Sequence, residues 1–246
     1  MKISFLSIIA VIFLSCNSKN KAASEQITAD KELFTTPTLV ALPPNLESRR
    51  LEFEKNINAA NQNIINFASQ NGWEALTEEP FLDSLMVFDQ KSQFNKTYLK
   101  LVEADATMQL PNTYCGALEK RTLIAVTPEY YAKVYPQGIE AASFEKLLTH
   151  EIAHQLHIRI LNDKEEEMGP LWFFEGFAIF AADQFSKSDL VLAREEMIDV
   201  MKNPERGSYL KYNYIFRYFV KKIPLKELIL KAKNEDFNEF LISKID

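Results

Sequence analysis

Apolar residues along this chain recur mostly at helical spacing, with a few short β-branched runs between them. The stretch from Glu47 to Gln70 predicts a helix stopped by Asn71-Gly72. Leu82 to Phe88 and Thr97 to Glu103 predict strands, and the run from Arg121 to Thr127, closed by Pro128, predicts another. From Ser143, a candidate N-cap, the residues Phe144, Leu147, Leu148, Ile152, Leu156, Ile158 and Ile160 keep a mostly helical period, with no Gly or Pro until Gly169. Beyond Glu175, helices are expected near 189–202, 208–222, 224–233 and 235–243. Six glycines in 246 residues fit that helical bias. The pattern predicts an α+β chain, mainly helical: a small sheet in the N-terminal half, a helical C-terminal half, and a cleft between them with the Ser143 helix at the boundary.

The amino terminus departs from this pattern. Met1-Lys2 precedes an apolar run from Ile3 to Leu14 that is too short to span a bilayer. It reads as a signal sequence, and Phe13-Leu14-Ser15-Cys16 resembles a bacterial lipobox. Residues 1–16 are thus expected to be a lipoprotein signal peptide, with Cys16 lipidated and the protein anchored to a membrane of the bacterial cell envelope, facing the periplasm or the outer membrane. The polar residues 17–44, ending in Pro43-Pro44, are expected as a flexible tether, which leaves 45–246 as one domain. With Cys16 lipidated, Cys115 has no disulfide partner and reads as a packed small hydrophobe. A net charge of −6 argues against nucleic acid as a partner, and Glu165-Glu166-Glu167 reads as a solvated loop.

All three histidines stand in one short run, His150-Glu151-Ile152-Ala153-His154-Gln155-Leu156-His157, which contains the pattern H-E-x-x-H. On a helix, positions 150 and 154 lie about 40° apart around the axis and about 6 Å apart along it, so both imidazoles can reach one ion. Glu151 lies a quarter turn away, placed to touch a water on that ion rather than to be a ligand. His157 lies about 10 Å along the axis from His150 and cannot share the ion with both, so it is expected as a groove residue near substrate, as a hydrogen-bond partner, or as a purely structural residue. A catalytic Zn2+ needs a third protein ligand and an open position. The candidate is Glu175 in Trp172-Phe173-Phe174-Glu175-Gly176-Phe177-Ala178, because a carboxylate among aromatic rings is costly to bury unless something pairs with it.

H-E-I-A-H followed by W-F-F-E-G-F-A resembles the gluzincin class of zinc metallopeptidases, specifically its short peptidase-MA-like catalytic domains, over roughly residues 110 to 225. The resemblance implies a zincin-like fold and hydrolysis of peptide bonds in a peptide or protein substrate. His150, His154 and Glu175 would hold zinc, and Glu151 would activate the attacking water and return its proton to the leaving amine. It also implies a helper for the developing oxyanion, for which Tyr209 and then Tyr212 are the candidates. The strand containing Ile124 is expected at the sheet edge, with substrate added beside it. Gly116-Ala117-Leu118-Glu119-Lys120 loosely resembles the G-A-M-E-N segment of M1 aminopeptidases, whose Glu binds a free amino terminus, which would make Glu119 a substrate-binding residue. The chain departs from thermolysin-like relatives at Ile179, where an Asp would orient the first histidine, so that support is expected elsewhere, from Asp183 or a backbone carbonyl.

Two other readings compete with cleavage. A zincin-like module could hold a peptide at the cell envelope without cutting it, although an intact Glu151 has no use there. A purely structural zinc site would need a fourth protein ligand, for which only His157 and Cys115 remain.

Overall fold

The computed structural model describes residues 38–246, so the expected signal peptide and Cys16 lie outside the described residues. The short run Leu39–Ala41 forms strand β1, which pairs in parallel with β2 (Ser84–Phe88) through Leu39 opposite Ser84. The folded unit therefore takes in the last residues assigned above to the tether. After a 3-10 turn at Pro44–Arg49, helix α1 (Arg50–Gln70) buries Phe53, Ile57, Ala60, Ile64 and Ala68, a stripe at 3.6-residue spacing. It stops where expected, at Asn71 and a left-handed Gly72.

The sheet has four strands in the order β1-β2-β4-β3, with β3 at Gly116–Glu119 and β4 at Thr122–Val126. This corrects the expected place of the Ile124 strand. β4 is internal, parallel to β2 on one side and antiparallel to β3 on the other, and Ile124 is wholly buried within it. Its unbroken run Leu123-Ile124-Ala125-Val126 is the pattern of a strand covered on both faces. The edge belongs to β3, which folds back through the two-residue turn Lys120-Arg121, both residues left-handed as a type I′ turn requires. No Asn-Gly marks that turn. The Arg121 guanidinium anchors it instead, bound to both Asp83 carboxylate oxygens and to the Pro80 carbonyl.

A second correction falls on residues 97–103. They lie largely in helix α2 (Lys91–Leu101), where Phe94 and Leu99 are buried and Tyr98 and Leu101 pack at helical spacing on the same core. Pro128 ends one element and begins another. Thr127 accepts a hydrogen bond from the Tyr130 amide, and α3 runs from Pro128 to Val134 with the proline in its first turn.

Helix α4 (Ser143–Ile160) packs on α1, the β3 and β4 strands, and α5 (Leu171–Ala181). Ser143 is its first helical residue rather than its cap, a place taken by left-handed Ala142. The C-terminal half is helical: α6 (Arg194–Lys202), α7 (Tyr209–Val220), α8 (Leu225–Lys231) and α9 (Phe237–Ile242). The architecture is α+β and mainly helical with a small mixed sheet. No helix among the described residues is long and apolar enough to cross a membrane.

Candidate metal centre

Two helices carry the site, and aromatic packing sets their distance. On α5, Trp172, Phe173 and Phe177 are buried, while Gly176 gives α7 room. A β-carbon at position 176 would stand 2.8 Å from the Phe216 ring, so the glycine after Glu175 is what allows α7 to close on α5. Across the contact of α4 with α5, His150, His154 and Glu175 converge. His150 Nε2 lies 3.2 Å from His154 Nε2 and 3.2 Å from Glu175 Oε2, and His154 Nε2 lies 3.8 Å from the same oxygen.

Those separations fit a cation. Three donors bound at about 2.0–2.1 Å in a tetrahedron stand about 3.3–3.4 Å from one another. The set of two imidazole nitrogens and one carboxylate oxygen suits a borderline-soft divalent ion. Glu175 is only 2% exposed, and an isolated carboxylate would not stay ionised at such a depth. Burial pushes its pKa up, yet the hydrogen bond with His150 and the charges of His154 and Arg206 hold it at about 2. Burial opposes a charge on His150, but Glu175, Glu151 and Gln184 outweigh it and raise its pKa. His154 is held neutral, its pKa lowered to about 3 by burial and by the charge on His150. An ionised Glu175 and a neutral His154 leave lone pairs that a cation could share.

Glu151 stands beside this group and against the edge strand. A β-carbon on Gly116 would come within 2.7 Å of Glu151 Oε1, so β3 presents bare backbone to that carboxylate. Burial and the neighbouring carboxylates Glu175 and Glu119 favour its protonated form, against His150 and Arg206, and its pKa rises to about 7. That poises it to exchange a proton near neutrality. Glu119 closes the same strand, half-buried, its pKa raised by burial and by Glu165.

Tyr209 is brought to the site. It opens α7, and its ring stacks on His150 at 5.6 Å between centroids and an interplanar angle of 14°. Its hydroxyl is bound by Arg206, and burial together with Glu175 keeps the phenol protonated. Tyr212 serves the loop instead: its buried hydroxyl accepts from the Gly207 amide at 2.5 Å and donates to the Glu205 carbonyl at 3.4 Å, bracing the turn that carries Arg206. His157 lies in no groove and takes the structural place instead. It is fully buried against Phe177, with ring centroids 4.4 Å apart, and neither ring nitrogen has a hydrogen-bond partner among the described residues. Burial lowers its pKa to about 3. Cys115 is buried as expected, its thiol pushed up to about 12 by burial.

Two residues of the site carry no sequence signal. Arg206 places Nη1 2.7 Å from Glu175 Oε1, the oxygen that faces away from the histidines, while half of its side chain stays exposed. Gln184 Oε1 lies 2.9 Å from His150 Nδ1, one residue beyond Asp183. Asp183 is instead exposed and paired with Arg217. No family model, curated protein or solved structure matches this chain.

Proposed function

We propose that the chain is a zinc-dependent peptidase of gluzincin type with a zincin-like fold, held at a bacterial envelope membrane through lipidated Cys16. The observation that carries this reading is the convergence of His150, His154 and Glu175 with Glu151 beside them against an edge strand. A bound zinc ion would supply Lewis acidity toward a substrate carbonyl and toward water. The other roles fall to this chain's own side chains. Glu151 takes a proton from the attacking water and returns it to the leaving amine. Tyr209 and Arg206, bound to each other beside Glu175, are the side chains that would answer negative charge developing on the carbonyl oxygen. The side of β3 that no described strand pairs offers backbone groups to an extended peptide, so contacts made there tolerate many sequences.

A second reading rests on Glu119. It ends the edge strand, close enough to Glu151 for their charges to interact, and could hold the ammonium of a substrate's amino terminus. The enzyme would then trim N-termini rather than cut internally. One experiment separates these readings from a module that binds without cutting. The purified protein and Glu151→Gln are loaded with zinc, metal content is measured, and both digest a mixed peptide library read by mass spectrometry. Cleavage should fall by about 10²–10⁴-fold in the variant at equal zinc content, and the cut positions decide between internal and terminal action. A folded, zinc-loaded wild type that cuts nothing would favour the binding module.

A further inference from the structure

We propose that Gln184 is the positioning residue of this centre, clamped by side chains of α4 and α7 so that its amide oxygen fixes the proton of His150 on Nδ1 and presents Nε2 to the cation. The inference rests on the metal-binding reading above. A neutral imidazole carries one proton, so a nitrogen that binds a cation requires the proton on the other nitrogen and an acceptor to receive it. Here Nε2 faces His154 and Glu175, and the group on Nδ1 is the Gln184 amide oxygen at 2.9 Å, with both residues buried.

The turn that delivers Gln184 is conformationally costly. Asp183 (φ 50°) and Phe185 (φ 53°), on either side of it, are both left-handed, a state disfavoured for any side chain and especially for a bulky one. Such backbone persists only when its surroundings hold it. Lys146, one turn before His150 on α4, binds the Asp183 carbonyl and Glu140. Glu140 accepts the Phe185 amide at 3.0 Å, and Asn213 donates to the Phe185 carbonyl at 3.0 Å. Arg217 ties Asn213 to the Asp183 carboxylate. The amide of Gln184 itself donates to the Ile179 carbonyl at 3.0 Å. All of these bonds converge on the backbone around one side chain, whose oxygen they aim at His150.

The chemistry of that side chain fits its place. Glu151 and Glu175 already bring two carboxylates to the site, with Arg206 beside them. An amide accepts the hydrogen bond without adding a third charge to the metal-free site, and once a dication is bound a carboxylate at 184 could accept it as well.

The test uses wild type, Gln184→Leu and Gln184→Glu. Zinc dissociation constants are measured by competition with a chelating dye, melting of the zinc-stripped proteins is followed alongside, and long-range proton–nitrogen NMR reads the three imidazoles of the zinc-loaded wild type. Gln184→Leu should weaken zinc binding by roughly 10–100-fold, the range for losing the hydrogen-bond partner of a ligand. Gln184→Glu, which keeps the acceptor, should recover most of that loss, and His150 should carry its proton on Nδ1. The inference is overturned if folded Gln184→Leu binds zinc within about threefold of wild type, short of that range. It is equally overturned by a His150 proton on Nε2. A role confined to stability would lower the melting temperature of the stripped protein and leave the affinity of the folded fraction unchanged. Should Gln184→Leu fail to fold, the wild-type proton position and the Gln184→Glu affinity decide. A wild type that binds no zinc overturns the metal reading itself, whereas one that binds it equally well without the amide overturns only this inference.

Discussion

The middle and the C-terminal turn of one helix treat the same side chain in opposite ways. On α4, His150 and His157 are both buried. His150 has a partner on each ring nitrogen, Gln184 on one side and the Glu175 and His154 pair on the other. Among the described residues His157 has a partner on neither, and its ring lies instead against Phe177 and Phe173. The difference comes from what faces each turn. Around His150 the chain spends a carboxylate, an amide and a costly backbone turn; around His157 it supplies aromatic rings. Polar investment of that kind marks a place where a proton or a cation is to be held, while an orphaned imidazole marks one where packing outweighed hydrogen bonding.

Breaking the partnered turn should have the largest effect. Glu175→Ala removes an ionised group that both His150 and Arg206 contact; half of the Arg206 side chain is exposed to water, so the loss should fall below the about 3 kcal/mol of a fully buried charge pair. Calorimetric or chemical unfolding of the zinc-stripped variant should show that loss. Its zinc affinity should fall beyond the roughly 10–100-fold that follows from losing a ligand's hydrogen-bond partner. A variant that binds zinc as tightly as wild type would mean that the ion is held elsewhere. Gly116→Ala acts on the same turn more gently. Its new methyl would meet the flexible end of Glu151 rather than backbone, so the fold and the zinc affinity should persist. Turnover should fall by about 10–100-fold, because a displacement near 1 Å at a reacting group costs that much. Unchanged turnover with intact zinc would show that the position of Glu151 against β3 is not what catalysis depends on.

The partnered turn was also the more legible one in sequence, though only in part. His150, Glu151, His154 and Glu175 could be read because helical geometry fixes which side chains share a face, and because a carboxylate among aromatic rings demands a partner. Tyr209 followed from the resemblance together with its spacing to Phe216 and Tyr218. Gln184 and Arg206 had no such mark. Each reaches the site through a turn, and a turn's path depends on contacts from distant segments: Lys146, Asn213 and Arg217 for Gln184, and the Tyr212 hydroxyl for Arg206. The edge strand was misplaced for a similar reason. The Lys120-Arg121 turn lacks the residues that usually announce a tight hairpin and is held by Asp83 and Pro80, some forty positions away. Helix α2 was misread because Tyr98, Leu99, Leu101 and Val102 suit a strand as readily as a helix, and burial by neighbouring elements decided between them.

The smallest expected effect sharpens the comparison from the other turn. His157→Leu replaces an imidazole whose two buried nitrogens are unsatisfied with an apolar side chain of similar bulk, so the folded state should gain about 1 kcal/mol at pH 7. The pH dependence identifies the source of that gain. The pKa of His157 is about 3 in the fold, below its value of about 6.5 in the unfolded chain. Between those limits the unfolded chain binds a proton that the folded protein does not, so the stability tied to neutral His157 is complete above about pH 6.5 and is lost as pH falls toward 3. His157→Leu should therefore flatten the decline of stability over that window in chemical denaturation run at a series of pH values, while zinc affinity and cleavage stay as in wild type. If the variant instead loses zinc or activity, His157 belongs to the site after all, and the contrast between the two turns of α4 would have to be redrawn around a partner that reaches its ring.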